Sequence, residues 1–278
     1  MVSNIIRLLQ ENEFNFCRSW HSRILNVDNK FYILYNKNLC DDYFINRTII
    51  NKNLHFGQNK KDDIGKIMNS LIQFSKQRKI TIYLHFSSDQ TVLEEYLLYN
   101  NFNKIDEVIG LHYINYPDFS IINLNNGTFK QSDQFLQILL VDNDAALKKW
   151  VETYCLSFNI DKTQGKFIYQ ILQRRLDTFK FVFAEMNDTM GNNGQMAGCG
   201  LLFSYRNCIA LYCLGTIDEY RHKNIATNIM NFSTEICRKK GYQIFGLQTL
   251  KSDNLLSFYL KKGFVDCYNN KIYEICNR

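Results

Sequence analysis

The stretch Leu214-Gly215-Thr216-Ile217-Asp218-Glu219-Tyr220-Arg221-His222-Lys223-Asn224-Ile225-Ala226-Thr227 joins the end of an apolar run to a polar loop and a helix start. Upstream, residues 208–214 are rich in apolar and aromatic side chains and read as a strand. Downstream, Ile225, Ile229, Phe232 and Ile236 recur at helical spacing and predict a helix over 223–240. Arg238, Lys239 and Lys240 suit the last turn of that helix, and Gly241 its C-terminal stop. A helix start presents backbone N–H groups without intrahelical partners at the positive end of the dipole, which suits a pyrophosphate. Arg221 and Lys223 would add charge there. Every strand-loop-helix connection has such amides, so the stretch needs its surroundings to become specific.

Working outward, residues 179–184, 196–205 and 208–214 read as three strands of an antiparallel meander, with a polar loop at 187–194 and a tight turn at Arg206-Asn207. Helices are expected at 145–158 and 165–176, after a strand at 134–141. Beyond the central helix, 242–250 reads as a strand. Ser252 then reads as the N-cap of a helix over 253–262, ended by Gly263. Residues 264–267 and 271–276 read as a closing strand pair across Asn269-Asn270. The first half echoes this: helix 62–77, strand 80–86, helix 89–100, strand 105–114. Ser88-Asp89-Gln90 before one helix matches Ser252-Asp253-Asn254 before another, and each helix precedes an aromatic strand residue, Phe102 or Phe264. This is an ordered internal repeat, to be weighed against two unrelated helix–strand units. Residues 117–130, with Asn125-Asn126-Gly127, read as the linker.

Arg221-His222-Lys223-Asn224-Ile225-Ala226 resembles the cofactor loop of the GCN5-related N-acetyltransferases, the GNAT superfamily, whose pattern is R/Q-x-x-G-x-G/A. Asn254, Phe258, Tyr259 and the pair Gly263-Phe264 resemble that family's next signature. The resemblance covers about the last 150 residues well and the first half loosely. It implies an α/β (α+β) architecture with a mixed, mostly antiparallel central sheet flanked by helices, in two tandem GNAT-like domains. The expected division is a degenerate domain at 1–125 and an acetyltransferase domain at 126–278. It also implies acetyl-CoA as cofactor and direct transfer of the acetyl group to a primary amine in a ternary complex.

The same resemblance distributes roles. Backbone N–H groups of Leu214, Gly215 and Thr216 would polarise the thioester carbonyl, and residues 221–227 would hold the pyrophosphate. Asn254 would bond the pantetheine arm, the other reading being a polar residue of the first helical turn, and Tyr259 would protonate the leaving thiolate, the other reading being a core aromatic. Phe258 either packs in the core or touches ligand. Lys262 either meets a cofactor phosphate or complements a helix end. Glu185 is the candidate base, through water, with Cys213 and Glu219 as alternatives and a solvated strand-end charge as the other reading of Glu185. One departure stands out: Asn224 occupies the loop's glycine position. Asn is among the residues that tolerate left-handed φ, yet the same substitution is what a lapsed site would carry. In the first half no such loop precedes the helix at 62–77, and Leu97 stands in the Tyr259 register, with Tyr96 one place off. That half is therefore expected neither to bind cofactor nor to catalyse.

The chain has 278 residues, 46% hydrophobic and 22% charged, enough apolar material for a sizeable core and too much for a disordered chain. The net charge of +6 shows no concentrated Lys/Arg stripe, so a nucleic-acid partner is not expected and an anionic cofactor fits better. Nine cysteines without a C-x-x-C pair argue against zinc and for reduced thiols in the cytoplasm. No apolar run long enough to span a membrane occurs. His21, His55, His85 and His112 lack metal or triad spacing, and His222 reads as an exposed loop residue. Only 1 proline among many asparagines points to genome-level base bias. Two other readings remain open: a catalytically silent GNAT-like protein that binds a partner or senses acyl-CoA, and a basic nucleic-acid binder. The amine acceptor and the oligomeric state are not readable from the sequence.

Overall fold

The structure, a computed structural model, describes residues 2–21, 24–27, 31–50, 60–114, 127–131, 134–187 and 194–275. In chain order its elements are α1 (Val2–Ser19), β1 (Ile24–Val27), β2 (Phe31–Leu34), β3 (Arg47–Ile50), α2 (Lys60–Arg78), β4 (Ile82–Ser87), α3 (Thr91–Tyr99) and β5 (Asn103–Tyr113). They continue with β6 (Gly127–Gln131), β7 (Gln134–Leu140), α4 (Asp144–Ser157), α5 (Lys162–Gln173), β8 (Phe179–Asn187), β9 (Gln195–Tyr205) and β10 (Cys208–Thr216). The last are α6 (Ile225–Lys239), β11 (Ile244–Leu250), α7 (Leu256–Lys261) and β12 (Phe264–Ile275). Contacts divide the chain into two units, each made of two separate stretches. One comprises Met1–Glu13 and His112–Leu247, the other Phe14–Leu111 and Gln248–Arg278. The expected boundary between 125 and 126 falls against residues 115–126, which lie outside the described residues.

In the first unit the strand order is β11-β10-β9-β8-β7-β6, with β10 and β11 parallel and the other pairs antiparallel. The expected meander is β8-β9-β10. The expected helical stripe of Ile225, Ile229, Phe232 and Ile236 is buried on α6. Two glycines of β9 bring α6 close. A Cβ on Gly198 would lie 2.7 Å from Ile225 Cγ2, and one on Gly200 would lie 3.0 Å from Ile229 Cγ2. Trp150 of α4 is fully buried, and its indole N–H is shared between the carbonyls of Val182 and Gly200, each at 2.9 Å. Asn12 of α1 is also buried. It donates to the carbonyls of Phe203 and Cys208 and accepts the Tyr212 hydroxyl, so its polar groups are matched.

In the second unit the order is β1-β2-β3-β4-β12-β5. Here β3 and β4 are parallel and joined through α2, as β10 and β11 are joined through α6 in the first unit. Phe31, Ile64, Met68, Leu71, Leu84, Leu97, Tyr273 and Ile275 form one core cluster. The two halves of the sequence repeat, α3 with β5 and α7 with β12, both belong to this unit, and β12 is the neighbour of β5.

Two expectations are corrected. Residues 264–276 do not form a hairpin: β12 is one strand of 12 residues, pairing with β4 from Asn270↔Ser87 to Ile275↔Ile82. A two-residue hairpin turn needs positive φ, which neither Asn269 nor Asn270 adopts. Instead the Asn269 carbonyl accepts the Ser88 N–H, and its side chain donates to Glu107. The linker expected at 117–130 also ends early, because residues 127–130 belong to β6 and pair with β7.

Glu107 of β5 is buried. It accepts from Lys104 Nζ, from Lys251 Nζ at 3.2 Å and from Asn269 Nδ2 at 2.7 Å. Burial pushes its pKa up, but these donors outweigh burial and bring it down to about 2 from 4.5. A depressed carboxyl pKa stabilises the fold fully above the unfolded value, and that contribution is lost as pH falls toward 2. Glu107→Gln is expected to cost about 2 kcal/mol at neutral pH. Urea titrations should show the gap to the parent protein closing between pH 4.5 and 2. A gap that does not change with pH would place its origin elsewhere than in the carboxylate charge.

Candidate functional site

In the first unit the candidate residues begin at an irregularity in β10. Its register with β9 runs Tyr212↔Leu201 and then Gly215↔Cys199, so β10 carries one residue more than its partner. Cys213, at φ 52°, absorbs that residue as a bulge, and the Cys199 thiol donates to its carbonyl at 3.5 Å. The parallel ladder of β10 with β11 runs from Cys208↔Ile244 to Leu211↔Leu247, ending just before the bulge. A bulge releases backbone groups from regular pairing, the condition for offering N–H groups at residues 213–215 to a carbonyl. Gly215 fits tightly: a Cβ there would lie 2.7 Å from both Ser157 Cβ and Phe158 Cε2 at the end of α4.

The chain then passes through a 3-10 turn, Asp218–Tyr220, into the loop. Arg221 pairs with Asp218 at 2.7 Å, and Lys223 Nζ lies 5.0 Å from the Tyr220 ring centre. The Tyr220 hydroxyl donates to Gln195 Oε1. Arg221, His222, Lys223 and Asn224 are all exposed. His222 has φ 64° and Asn224 φ 56°, ψ 17°, both left-handed. Asn224 thus adopts the backbone conformation that a glycine there would supply. Its side chain makes no cap bond, and the first helical bond is Asn228 N–H to the Asn224 carbonyl at 3.0 Å. The N–H groups of Ile225, Ala226 and Thr227 therefore have no acceptor within α6. A left-handed entry, uncapped amides and flanking Arg221 and Lys223 are a donor set that fits a diphosphate.

Glu185 lies near the end of β8, where pairing shifts from Ala184↔Gly198 to Glu185↔Met196. It is not a solvated strand-end charge: its side chain is 14% exposed and stands 3.6 Å from Lys149 Nζ of α4. Of the two alternatives, Glu219 is exposed in the 3-10 turn and Cys213 is half-buried within the bulge.

The remaining residues lie in the second unit. Ser252 does not cap a helix. Residues Lys251–Asp253 form a 3-10 turn, Asn254 follows at φ 57°, and α7 begins only at Leu256. Asn254 is exposed, and its amide donates to the Ser252 carbonyl at 3.0 Å. Tyr259 is 5% exposed, edge-on to Phe258 at 5.3 Å and to Phe264 at 6.0 Å. Burial, and then the Asp253 charge, holds the Tyr259 hydroxyl well above the ordinary tyrosine value, so it stays protonated at neutral pH. Phe258 is half-buried, with Lys262 Nζ 5.7 Å from its ring centre. The structure thus gathers 214–216, 221–227 and Glu185 in one unit and Asn254, Phe258, Tyr259 and Lys262 in the other. Sequence reasoning missed the bulge at Cys213, which no Gly or Asn marks. It also missed the Ser157–Phe158 contact, for which Gly215 was the available signal.

Residues 147–264 match the model of the acetyltransferase (GNAT) family. No curated protein matches the sequence. Among solved structures, the chain is similar to a GCN5-related N-acetyltransferase from Kribbella flavida, with TM-score 0.65, 9% identity, and 97% of this chain and 95% of that one covered. It is also similar to a functionally unknown conserved protein from Staphylococcus epidermidis, with TM-score 0.60, 17% identity and coverage of 91% and 93%. A third is a tandem GNAT protein from the clavulanic acid biosynthesis pathway, with TM-score 0.53, 8% identity and coverage of 82% and 74%. At these identities the likeness is one of fold.

The left-handed entry to α6 can be tested by substitution. Asn224→Ala should lower unfolding free energy by about 1–2 kcal/mol relative to Asn224→Gly, because alanine tolerates positive φ poorly. Equal stability of the two variants in chemical denaturation would contradict the observed backbone at this position.

Proposed function

We propose, on the premise that residues 147–264 form a GNAT acetyltransferase domain, that the protein is an N-acetyltransferase acting on a primary amine with acetyl-CoA, by direct transfer in a ternary complex. The observation that carries this reading is the uncapped first turn of α6 behind left-handed Asn224, within the residues that match the family.

Bound acetyl-CoA supplies an activated acyl group as a thioester. The N–H groups of Ile225, Ala226 and Thr227, with Arg221, His222 and Lys223, bind its diphosphate. Backbone N–H groups at Leu214, Gly215 and Thr216 polarise the carbonyl as the amine nitrogen bonds to its carbon. Asn254 bonds the pantetheine amide, and Lys262 adds charge near a phosphate. Tyr259 gives its hydroxyl proton to the sulfur as the C–S bond breaks, then regains one from solvent. Glu185 takes the proton that the amine nitrogen sheds, through water. Its ion pair with Lys149 must open or relay for that purpose, and this pair is what favours a second reading, a silent acyl-CoA-binding protein. No helix among the described residues is long and apolar enough to cross a membrane. The reading places the enzyme in the cytoplasm without nucleic-acid or membrane partners.

Titration calorimetry with acetyl-CoA should show binding, and silence at millimolar cofactor overturns both readings. Tyr259→Phe should lower turnover about a hundredfold with little change in cofactor affinity. Equal loss of both would make Tyr259 structural. Cofactor binding with no turnover across a broad amine panel would favour the silent protein.

A further inference from the structure

Strand β5 carries two adjacent buried acids, Asp106 and Glu107, which acyl transfer as proposed does not use. Both carboxylates reach one short segment, and Glu107 also accepts from Lys104 and Asn269. Asp106 Oδ1 accepts the backbone N–H of Ser252 at 3.2 Å, and Oδ2 accepts the Ser252 hydroxyl at 2.5 Å and the Tyr43 hydroxyl at 3.1 Å. Glu107 Oε2 accepts Lys251 Nζ at 3.2 Å. Consecutive residues of β5 therefore hold consecutive residues of the turn Lys251–Asp253.

That turn has few bonds of its own. It is three residues long, with one backbone bond, Asn254 N–H to the Lys251 carbonyl at 3.2 Å, and two side-chain bonds, Leu250 N–H to Asp253 Oδ2 at 3.3 Å and Asn254 Nδ2 to the Ser252 carbonyl at 3.0 Å. Short 3-10 segments have poor hydrogen-bond geometry and little cooperativity of their own. The turn nonetheless has to deliver Asn254 at φ 57° and start α7, a helix of six residues that carries buried Tyr259. Charge-assisted bonds from a strand inside a sheet are what fix it.

We propose that Asp106, with Glu107 beside it, is a positioning residue for acyl transfer: by gripping the Lys251–Asp253 turn it sets the left-handed geometry of Asn254 and the entry of α7, and so the place of the Tyr259 hydroxyl. This rests on the roles given above to Asn254 and Tyr259. It also assigns a task to the half of the chain that lacks the cofactor loop: β5 is the rigid element from which the motif-bearing turn is held.

The experiment is amide hydrogen exchange on the full chain, with steady-state kinetics alongside. Asp106→Ala should speed exchange in residues 250–262 at least about tenfold while the amides of β2 and β4 keep their protection. It should also lower kcat by a similar factor and leave KM for the amine unchanged. Asp106→Asn retains acceptor oxygen and shape and should recover much of both. Should Asp106→Ala fail to fold, Ser252→Ala removes one tie from the other side, and the same local rise in exchange is expected. Unchanged exchange at 250–262 in folded variants overturns the proposal, and so does a rise spread evenly over the second unit. Failure of the parent protein to bind acetyl-CoA overturns the roles of Asn254 and Tyr259 instead, and the exchange pattern reads the grip independently of that result.

Discussion

Strand β12 has to be paired on both edges, and the second unit is organised around that requirement. It lies between β4 and β5, inside a sheet that the first half of the chain otherwise builds. Tyr273 and Ile275 are fully buried in the same cluster as Leu84 and Leu97. An interior strand leaves few backbone groups to water, so its insertion satisfies the inner edges of β4 and β5 together with its own. It also makes the unit's core depend on contacts between residues far apart in sequence. Such pairings must overcome loop-closure entropy before they are rewarded, which favours late consolidation in folding.

This threading divides the two stretches that resemble GNAT signatures between units. The Arg221–Ala226 loop belongs to the first, where Gly198, Gly200 and Gly215 clear the space that α6 and α4 fill. Asn254 and Tyr259 belong to the second, where acids of β5 hold the turn before them. The physical means differ accordingly. In the first unit backbone geometry follows from absent side chains and three left-handed residues, Cys213, His222 and Asn224, steric devices that are insensitive to salt. In the second it follows from part-buried charge-assisted bonds, which are directional and draw strength from the buried carboxylates.

What could be read in advance follows the same line. The strand, loop and helix around 208–241 were legible because each carries an independent local signal: β-branched and aromatic residues, a polar gap, and an apolar stripe ending in basic residues and glycine. β12 was misread because Asn269-Asn270 is a local turn signal, and pairing on both sides overrode it. β1, β2 and β3 went unread because four-residue strands show too little alternation to stand out. The bulge at Cys213 was illegible because its positive φ falls on a residue type that does not announce it. Asp106 and Glu107 carry no signal of their own within the strand expected at 105–114, since the turn they hold, at Lys251 and Ser252, lies far along the chain.

The repeat shows which part of the site packing demands and which it does not. On the register that aligns α3 with α7, Leu97 stands where Tyr259 stands, and the two are 0% and 5% exposed. Both positions lie two residues before the helix end and are buried, so each requires a large apolar body. A tyrosine meets that requirement while adding a hydroxyl that apolar packing does not need. Leucine meets it without one. The hydroxyl at 259 is therefore not explained by packing, because the sister position achieves complete burial without one. The same contrast holds for Asn224, which bears the strain of left-handed backbone at a helix entry yet contributes no cap bond. Packing therefore accounts for the apolar body at 259 and the left-handed backbone for the residue type at 224, and neither requirement calls for the polar group itself.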